Sequence, residues 1–548
     1  MTPKQFILKP MARLAATRAW LDTRAFIKAH SNTQLAQEQL LLKLIARHAQ
    51  TDFGHDHGLA GVRSYDDFVR AVPVRSYEQM RPYFDRVFHG HTTALLPADE
   101  KVLMFSMTSG TTGQPKYIPV TRPFLDNQRR GFNIMGLSAL NKHKEGWLRP
   151  ILQVTSPMDE QTSPTGLPCG AISGMLARTQ QKIVQRMYPA PYQVASIADS
   201  VVKYYTLMRC AIARDVAIIS TANPSTIIKM IEVASAHADR LIRDVADGTF
   251  MPPGQLPSEI KALLKFGPNR RAARRLQRAL DADGTLLPKR FWKPAFLTHW
   301  TGGTLKLYLR RLQDLFGEVP IRDLGLLASE GRFSIPMEDN TPAGIAEIAS
   351  NVLEFIPVEE YGQESPRALP AHQVQAGHEY FLVITNWAGL WRYSIDDRVR
   401  VVSHFRQSPV FEFLSRGLRT ANLTGEKLTE HQVVEAMRRA SASVGTDVNR
   451  FTLQPIFSDT PCYQLVIEPI DSNGVQSALP AMMDQALADL NIEYQAKRHS
   501  GRLGPIRLNV AKAGYFDQRE QEEIQRRRGR SEQYKHQYLL TNVLDETA

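Results

Sequence analysis

The chain has 548 residues, more than one hydrophobic core usually covers, so we expect at least two domains. Its composition, 43% hydrophobic and 22% charged, is typical of a soluble globular protein. The formal net charge of +12 suits an acidic partner, either nucleic acid or a polyanionic small molecule such as a nucleotide, and charge alone does not choose between them.

Cysteine usage and hydropathy limit the compartment. Cys169, Cys210 and Cys462 are far apart and odd in number, so neither a disulfide framework nor a clustered metal site is supported. No apolar run approaches the roughly 18 residues of a membrane span, and no signal-peptide core precedes a small-residue cleavage site. We therefore expect a cytoplasmic protein with no membrane partner. A monomer is the default, since oligomeric state leaves no trace in the sequence.

Two strand-like runs enclose the most informative segment. Leucines and isoleucines first recur at helical spacing from Thr33 to about Ala49, and Thr51–His55 supplies a stop. The apolar runs Val102–Phe105 and Tyr117–Val120 then flank the sequence TSGTTGQPK. This pattern favours a loop displayed between two strands.

That loop has the composition of a phosphate-binding loop. Two glycines three apart let the backbone turn close to an anion, hydroxyls and N–H groups can donate to phosphate oxygens, and a lysine adds charge. The candidate nucleotide contacts are Thr108, Ser109, Gly110, Thr111, Thr112, Gly113 and Lys116, with Thr121 as a further one. The glycine spacing departs from the Walker A pattern, so a P-loop NTPase is a poor interpretation. An ordinary surface loop stays the alternative.

Strand-like and helical runs alternate in the middle of the chain. Ala217–Ser220 is strand-like, and Asn223–Ser225 opens a helix after it. Such alternation predicts an α/β architecture with a largely parallel sheet. The stretch from Met251 to Lys289 is interpreted as an insertion or helical excursion.

Two segments follow strand-like runs at positions where α/β sheets bind ligands. The Gly302–Gly303 turn follows Phe296–Thr298 and precedes an amphipathic helix, and Ser329–Glu330 follows Leu324–Ala328. Ligands of open α/β sheets lie beyond the carboxyl ends of the strands. Both segments are therefore predicted to lie at such ends.

The last third of the chain predicts a hairpin and then a separate domain. Tyr380–Thr385 and a strand through Val399–Val402 form the hairpin, with Asp396–Asp397 at its bend. We place a domain boundary near Ala421. The smaller domain that follows has a helix from Glu430 to Ala440 and strands at Phe451–Gln454 and Tyr463–Ile467.

Basic clusters do not make a nucleic-acid site. They are Arg270, Arg271, Arg274, Arg275 and Arg278, then Arg526, Arg527, Arg528 and Arg530. Their spacing fits solvated helix faces, and neither cluster has the interleaved aromatic residues of a single-strand binder. We therefore expect no nucleic-acid partner.

Three motifs in order carry a resemblance to a known family. They are Ser109–Gly113 with Pro115-Lys116, then Leu326–Glu330 in place of Y-x-x-S-E, and Tyr393–Asp397 in place of Y-R-x-G-D, preceded by Ala388–Arg392. Supporting matches are Trp300–Gly303, Gly425–Lys427 and Gln533–Lys535. Together these resemble the GH3 acyl-acid amido synthetases, the plant auxin- and jasmonate-conjugating family and its bacterial relatives, within the acyl-adenylate-forming superfamily. The resemblance covers nearly the whole chain.

The resemblance implies a fold and an activity. It implies a large N-terminal adenylate-forming domain, residues 1–421, with parallel or mixed sheets and flanking helices, and a smaller mobile α+β domain, residues 422–548. The implied enzyme uses ATP and Mg²⁺ to adenylate a carboxylic acid and transfers the acyl group to the amine of an amino acid. Two positions depart from the family pattern: Leu326 replaces a Tyr and is expected to alter pocket shape, and Asp396 replaces a Gly at a backbone turn.

The resemblance also implies roles for individual residues. Glu330 would hold Mg²⁺, Asp397 would accept hydrogen bonds from the ribose, and Lys535 would reach the α-phosphate or the carboxylate during adenylation. The remaining nucleotide contacts would be Gly302, Gly303 and Gly325 against adenine, with Leu326, Leu327, Ala328 and Ser329 beside them. The alternatives are a surface acid for Glu330, half of a hairpin turn for Asp397 and a solvated lysine for Lys535.

Other functions stay open at this point. A coenzyme A ligase would use the same acyl-adenylate, so it is one alternative. The departures at Leu326 and Asp396 lead to a second alternative, a nucleotide-binding protein without turnover. Candidate acyl-pocket segments are Leu167–Gly174 and Tyr188–Tyr192, where nothing in the chemistry marks individual residues.

Overall fold

A computed structural model describes residues 3–108, 116–417, 420–421, 423–424, 426, 428–457, 460–470, 473–499, 503–526, 536–541 and 544–545. The chain divides into two units. The first unit comprises residues 1–300 and 313–413, and the second comprises residues 301–312 and 414–548. The predicted functions of the two domains stay predictions.

The helices alternate with short strands through much of the chain. In order they are α1 Pro3–Ala29, α2 Thr33–His48, α3 Asp52–Asp56, α4 Tyr65–Ala71, α5 Tyr77–Phe88, α6 Arg122–Lys142, α7 Ile172–Arg178, α8 Lys182–Gln185, α9 Ser200–Ala211, α10 Pro224–Ala236, α11 Ala238–Asp247, α12 Ser258–Leu263, α13 Arg270–Asp283, α14 Leu309–Phe316, α15 Glu430–Ser443, α16 Asn473–Leu490, α17 Ile492–His499 and α18 Tyr515–Arg526. Short 3-10 helices lie at Leu59–Gly61, Thr92–Ala94, Lys144–Gly146, Tyr192–Ser196, Pro288–Arg290, Gly303–Tyr308 and Val358–Glu360.

The strands are mostly short. They are β1 Val102–Thr108, β2 Lys116–Thr121, β3 Ile151–Gln153, β4 Gln161–Thr162, β5 Pro168–Gly170, β6 Ile218–Ser220, β7 Phe296–Thr298, β8 Ile321–Arg322, β9 Leu327–Ala328, β10 Gly331–Arg332, β11 Ser334–Ile335, β12 Gly344–Ala346, β13 Asn351–Pro357, β14 Leu369–Pro370, β15 Glu379–Asn386, β16 Leu390–Phe405, β17 Ser408–Arg416, β18 Thr420–Ala421, β19 Leu428–Thr429, β20 Phe451–Phe457, β21 Cys462–Ile467, β22 Arg507–Val510 and β23 Leu544–Asp545.

The predicted parallel sheet is present in the first unit. Its order is β3-β6-β7-β8, and every adjacent pair is parallel. α10 follows β6 as the sequence indicated, because the Asn223 side chain accepts a hydrogen bond from the Ser225 N–H at 2.9 Å and Pro224 occupies the first turn. The stretch from Met251 to Lys289 is the predicted helical excursion and contains α12 and α13. The predicted α/β fold class is confirmed.

A second sheet of the first unit presents the predicted loop. Its order is β2-β1-β5-β4, with β1 antiparallel to β2 and parallel to β5. Thr108 and Lys116 are paired across β1 and β2, so the two ends of the intervening loop are held side by side. The loop itself, residues 109–115, lies outside the described residues.

A seven-stranded sheet carries most of the first unit's core. Its order is β11-β12-β17-β16-β15-β13-β14. α2, which ends at His48 as the sequence predicted, packs with this sheet, and buried residues such as Leu44, Phe53, Tyr393 and Trp391 fill the space between. Burial of large apolar side chains on this scale is the main stabilising term of such a unit.

The second unit has its own core around a mixed sheet of order β22-β21-β20-β23. α15 begins at a capping box in which Thr429 and Gln432 satisfy each other's backbone N–H groups. The predicted helix after Glu430 and the two predicted strands, observed as β20 and β21, are confirmed.

The basic face of α13 is solvated, with Arg271, Arg274 and Arg278 exposed. Residues 527–530 of the second basic cluster lie outside the described residues. Among the described helices, none has the length and apolar composition needed to cross a bilayer.

Candidate active site

Glu330 lies in the turn of a small antiparallel hairpin. β9 pairs with β10, Gly331 opposite Ala328, so Ser329 and Glu330 form the connection. The expectation that Ser329–Glu330 directly follow a parallel strand is wrong. The parallel strand β8 ends earlier, because the Asp323 carboxylate accepts a hydrogen bond from the Gly325 N–H at 2.6 Å and turns the chain.

The Glu330 carboxylate is buried without full hydrogen bonding. The residue is 1% exposed, and its Oε1 atom has no hydrogen-bond partner. Its backbone carbonyl accepts a hydrogen bond at 2.8 Å from the side-chain amide of Asn386, which also donates to Asn351. A buried carboxylate oxygen without a donor costs free energy, so it is expected where a cation or ligand completes the site.

Gly325 is required by the packing before this hairpin. Its φ is +75°, and a Cβ atom there would lie 2.7 Å from Pro336 Cδ and closer still to the Ser334 carbonyl. The Gly325 carbonyl accepts from the Trp300 indole at 2.8 Å. Leu326, Leu327, Ala328 and Ser329 follow it and are all half-buried.

Asp396 and Asp397 lie inside strand β16. The hairpin between β15 and β16 bends at Trp387–Gly389 instead, where Gly389 has a φ of +76° and the Asn386 side chain accepts from the Ala388 N–H. The prediction that Asp396–Asp397 form the bend is therefore wrong. The register shifts between Phe381 and Val383, so the two aspartates occupy a bulge of β16.

The bulge accommodates Asp396 in place of the family's Gly. Its φ is +60°, a conformation that Asp adopts more readily than most residues. The carboxylate accepts hydrogen bonds from the Tyr361 hydroxyl at 2.6 Å and from Ser394 at 3.2 Å. Asp397 beside it is 7% exposed.

Lys116 brings the end of the phosphate loop to the same strand. Its ammonium donates to the Tyr393 hydroxyl at 3.3 Å and lies 4.7 Å from the ring centre of Tyr77. Lys116 is 6% exposed. Two of the three motif segments, separated by more than 270 positions of the chain, are thus neighbours in space.

Arg392, which directly precedes the Tyr393–Asp397 motif, has a structural role. Arg392 forms a two-pronged ion pair with Glu354, with Nε to oxygen distances of 3.1 and 3.0 Å, and both residues are buried. Its Nη1 donates to the Val72 carbonyl at 3.0 Å, and the Tyr65 hydroxyl donates to Glu354 at 2.7 Å. Burial and the Glu354 charge raise the pKa of the Tyr65 hydroxyl.

Several predicted contacts lie elsewhere or outside the described residues. Ser109, Gly110, Thr111, Thr112, Gly113 and Lys535 belong to the segments that the structure does not describe, and of Thr108 it describes the strand backbone alone. Thr121 is fully buried and caps α6, accepting a hydrogen bond from the Phe124 N–H at 3.4 Å. Gly302 and Gly303 belong to the second unit, where Gly303 has a φ of +57° and begins a 3-10 helix. Their roles toward a nucleotide stay predictions.

Family models match the chain in three consecutive parts. The GH3 family N-terminal domain matches residues 22–321, the central domain residues 348–416 and the C-terminal domain residues 431–543. The chain belongs to the GH3 family. The predicted family is thereby confirmed.

GH3 relatives match across most of their length. An indole-3-acetic acid-amido synthetase of Oryza sativa subsp. indica is 25% identical over 89% of this chain and 85% of its own. A jasmonoyl–L-amino acid synthetase of Nicotiana attenuata is 23% identical over 88% and 86%. The solved structure of an acyl acid amido synthetase in complex with 2,4-DB has a TM-score of 0.85 at 20% identity, covering 96% of this chain and 95% of that one, and shows the same fold.

This GH3 protein has a second group of buried polar atoms that the sequence reasoning missed. Arg332 is 3% exposed, donates from Nη1 to the Leu324 carbonyl at 2.7 Å and lies 4.1 Å from the Phe132 ring centre, while its Nε and Nη2 have no partner. Burial lowers the pKa of Arg332 to about 10, so it stays charged at neutral pH. Gln128, one helical turn before Phe132 on α6, is buried with both amide atoms unpaired.

Gly131 is the sequence signal for this group. A Cβ atom at Gly131 would clash with the Arg332 side chain, so a mid-helix glycine makes room for the buried guanidinium. Unpaired buried donors beside the Glu330 hairpin are candidates for substrate contact.

One predicted acyl-pocket segment lines a narrow pocket. Tyr188–Tyr192 borders it together with Lys203 and with Gln153, the last residue of the parallel strand β3. Its volume is about 30 Å³, room for water and not for an aromatic acid. The other segment, Leu167–Gly174, packs closely against the backbone of residues 156–158. The close approach is possible because Gly170 and Gly174 have no side chains there.

Proposed function

We propose that this GH3 protein is an ATP- and Mg²⁺-dependent ligase that joins a carboxylic acid to the amine of an amino acid through an acyl-adenylate. The named activities of the rice and Nicotiana relatives support this proposal, and so does the fold shared with a solved acyl acid amido synthetase.

The observation that carries the proposal is the Glu330 carboxylate. Its buried Oε1 atom has no donor, and Glu330 is the acid of the S-E motif, in a turn whose backbone carbonyl is bound by Asn386. A carboxylate oxygen is a ligand that Mg²⁺ prefers. Within the described ranges no three histidine, cysteine or acidic side chains form a preformed cage, which fits an ion completed by nucleotide phosphates and water.

The chemistry explains why the other residues are needed. The carboxylate oxygen of the acid attacks the α-phosphate of ATP, the bond to pyrophosphate breaks, and the amine then attacks the acyl carbon and releases AMP. The first step brings anions together, so it requires cations and positioned donors. We assign phosphate contact to Ser109–Gly113 and Lys116, ribose contact to Asp397 and a cation for the adenylation step to Lys535.

The departure at Asp396 does not argue against turnover. Asp396 adopts a left-handed conformation in the bulge of β16 and its carboxylate is hydrogen-bonded, so the chain accommodates Asp beside Asp397. This supports turnover over a nucleotide-binding protein without turnover.

Pyrophosphate release with Mg-ATP across a panel of aromatic, aliphatic and hydroxy acids tests the proposal. Acid-dependent release that pooled amino acids increase is expected. An increase with coenzyme A alone would reassign the protein as a thioester ligase, and no release with any acid would count against the proposed activity.

Replacing Glu330 by Gln separates a functional from a structural role. The expected result is loss of pyrophosphate release together with unchanged or higher thermal stability, since an unpaired buried charge is removed. The matched control is Glu338→Gln, an exposed glutamate eight positions later, which should leave both unchanged. Full activity of E330Q would exclude Glu330 as the metal ligand, and inactivity with unfolding would indicate a structural role.

A further inference from the structure

A polar pocket beside α6 is a feature that the proposed activity does not use. Arg18 and Asp22 of α1, Arg122 to Asn133 of α6 and residues 179–181 enclose about 370 Å³. We call this the α1–α6 pocket. Its volume is within the range of small-molecule binding sites.

The α1–α6 pocket carries a surplus of positive charge. Its charged lining residues are Arg18, Arg122, Arg129, Arg130, Asp22 and Asp126, four cations and two anions. Asp126 is already shared, accepting from Arg122 at 2.9 Å and lying 3.4 Å from Arg129. Burial lowers the pKa of Arg129, and the neighbouring charges of Arg122 and Arg18 lower it further, against the opposing effect of Asp126.

Two of the arginines are held in place from behind. Arg130 pairs with Glu347 at 3.1 Å, and the Glu347 side chain is 2% exposed. Arg129 donates from Nη2 to the Thr179 carbonyl at 2.8 Å. Donors that are fixed before binding lose little conformational entropy when a ligand arrives.

We propose that the α1–α6 pocket binds a small dianion. Four arginines stand against three carboxylates, those of Asp22, Asp126 and Glu347, so the pocket keeps an excess of positive charge. Planar guanidinium groups bind phosphate and carboxylate oxygens in pairs. Phosphate, pyrophosphate and short dicarboxylates share this chemistry. None of its lining residues is among the nucleotide contacts assigned to Lys116, Glu330 and Asp397, so the proposal does not depend on them.

The test is isothermal titration calorimetry of the full-length protein at constant ionic strength. Pyrophosphate, inorganic phosphate and glutarate are titrated in separate runs, each with a non-hydrolysable ATP analogue already present to occupy the nucleotide site. Saturable binding of at least one dianion is expected. The anion with the lowest Kd shows whether the pocket prefers phosphate compounds or dicarboxylates.

Matched variants assign that binding to the pocket. R18Q/R122Q removes two exposed lining charges and should raise the Kd at least tenfold, while R18K/R122K should stay closer to the parent protein. R271Q/R278Q removes two exposed arginines of α13 and should leave the Kd unchanged. Equal Kd values in R18Q/R122Q and R271Q/R278Q, or no saturable binding of any dianion, would overturn the proposal.

Discussion

Replacing Arg392 by Met should destabilise the first unit strongly. In the parent protein, Glu354 is fully buried and its charge is met by the Arg392 guanidinium and the Tyr65 hydroxyl. In R392M the carboxylate keeps its place without a cation, which typically costs 3–5 kcal/mol, roughly a third of the stability of an ordinary domain. The Val72 carbonyl also loses its donor.

The cost comes from the buried Glu354 charge that is left without its cation, so removing that charge as well should recover part of the stability. The double variant E354Q/R392M has no charge left to bury, so it should be more stable than R392M alone.

Tryptophan fluorescence during urea denaturation measures this effect in the right part of the chain. The six tryptophans, Trp20, Trp147, Trp292, Trp300, Trp387 and Trp391, all belong to the first unit. A loss of less than about 1 kcal/mol in R392M, or a double variant no more stable than R392M, would refute the assignment of Arg392 to the fold.

Two further predictions follow from the backbone and from burial. D396G should keep the bulge of β16 and bind ATP with little change. D396A adopts a positive φ less readily, so its free energy of unfolding should fall about 1–2 kcal/mol further than that of D396G. Equal unfolding curves for the two variants would contradict the bulge geometry. Burial lowers the pKa of His48 from 6.5 to about 4. The neutral His48 side chain therefore makes its full contribution to the free energy of unfolding above pH 6.5. This contribution is lost as the pH falls toward 4, and the free energy of unfolding should be lower by about 2 kcal/mol at pH 5. H48N should reduce this pH dependence of urea stability and exposed H55Q should retain it; an unchanged slope in H48N would show that other groups cause it.

The sequence predicted the site best where chemistry and local pattern agree. The strands around the phosphate loop, the parallel sheet and the cap at Asn223 follow from apolar runs and helix-start signals, and all are present. Lys116 follows from the composition of the phosphate loop and Glu330 from the family resemblance, and both are buried. Hydrophobic patterns and helix-start signals were therefore sufficient to predict most of the strands and helices that hold the site.

The wrong predictions have local causes. Asp-Asp is a common turn pair, but the turn between β15 and β16 forms at Gly389, and the aspartates bulge within the strand instead. Likewise, Leu324–Ala328 was interpreted as one strand because it is apolar, although the Asp323 side chain and Gly325 break it. Competing turn signals only a few residues apart cannot be ranked without the tertiary contacts.

Other features depend on contacts between distant segments. Arg332 is buried because Gly131 of α6 leaves space for it, and Glu354 is buried because Arg392 pairs with it from β16. The charges in the α1–α6 pocket are brought together in the same way, from α1, α6 and residues 179–181. No spacing within one segment records such pairings.

The central claim is that the acid is activated as an acyl-adenylate, and an isotope measurement tests it most directly. An accepted acid carrying oxygen-18 in its carboxylate is turned over with Mg-ATP and amino acid, and the AMP is analysed by mass spectrometry. Because a carboxylate oxygen attacks the α-phosphate and stays on it when the amine displaces AMP, AMP containing one oxygen-18 atom is predicted. Unlabelled AMP, or label in inorganic phosphate with ADP as the nucleotide product, would contradict the account.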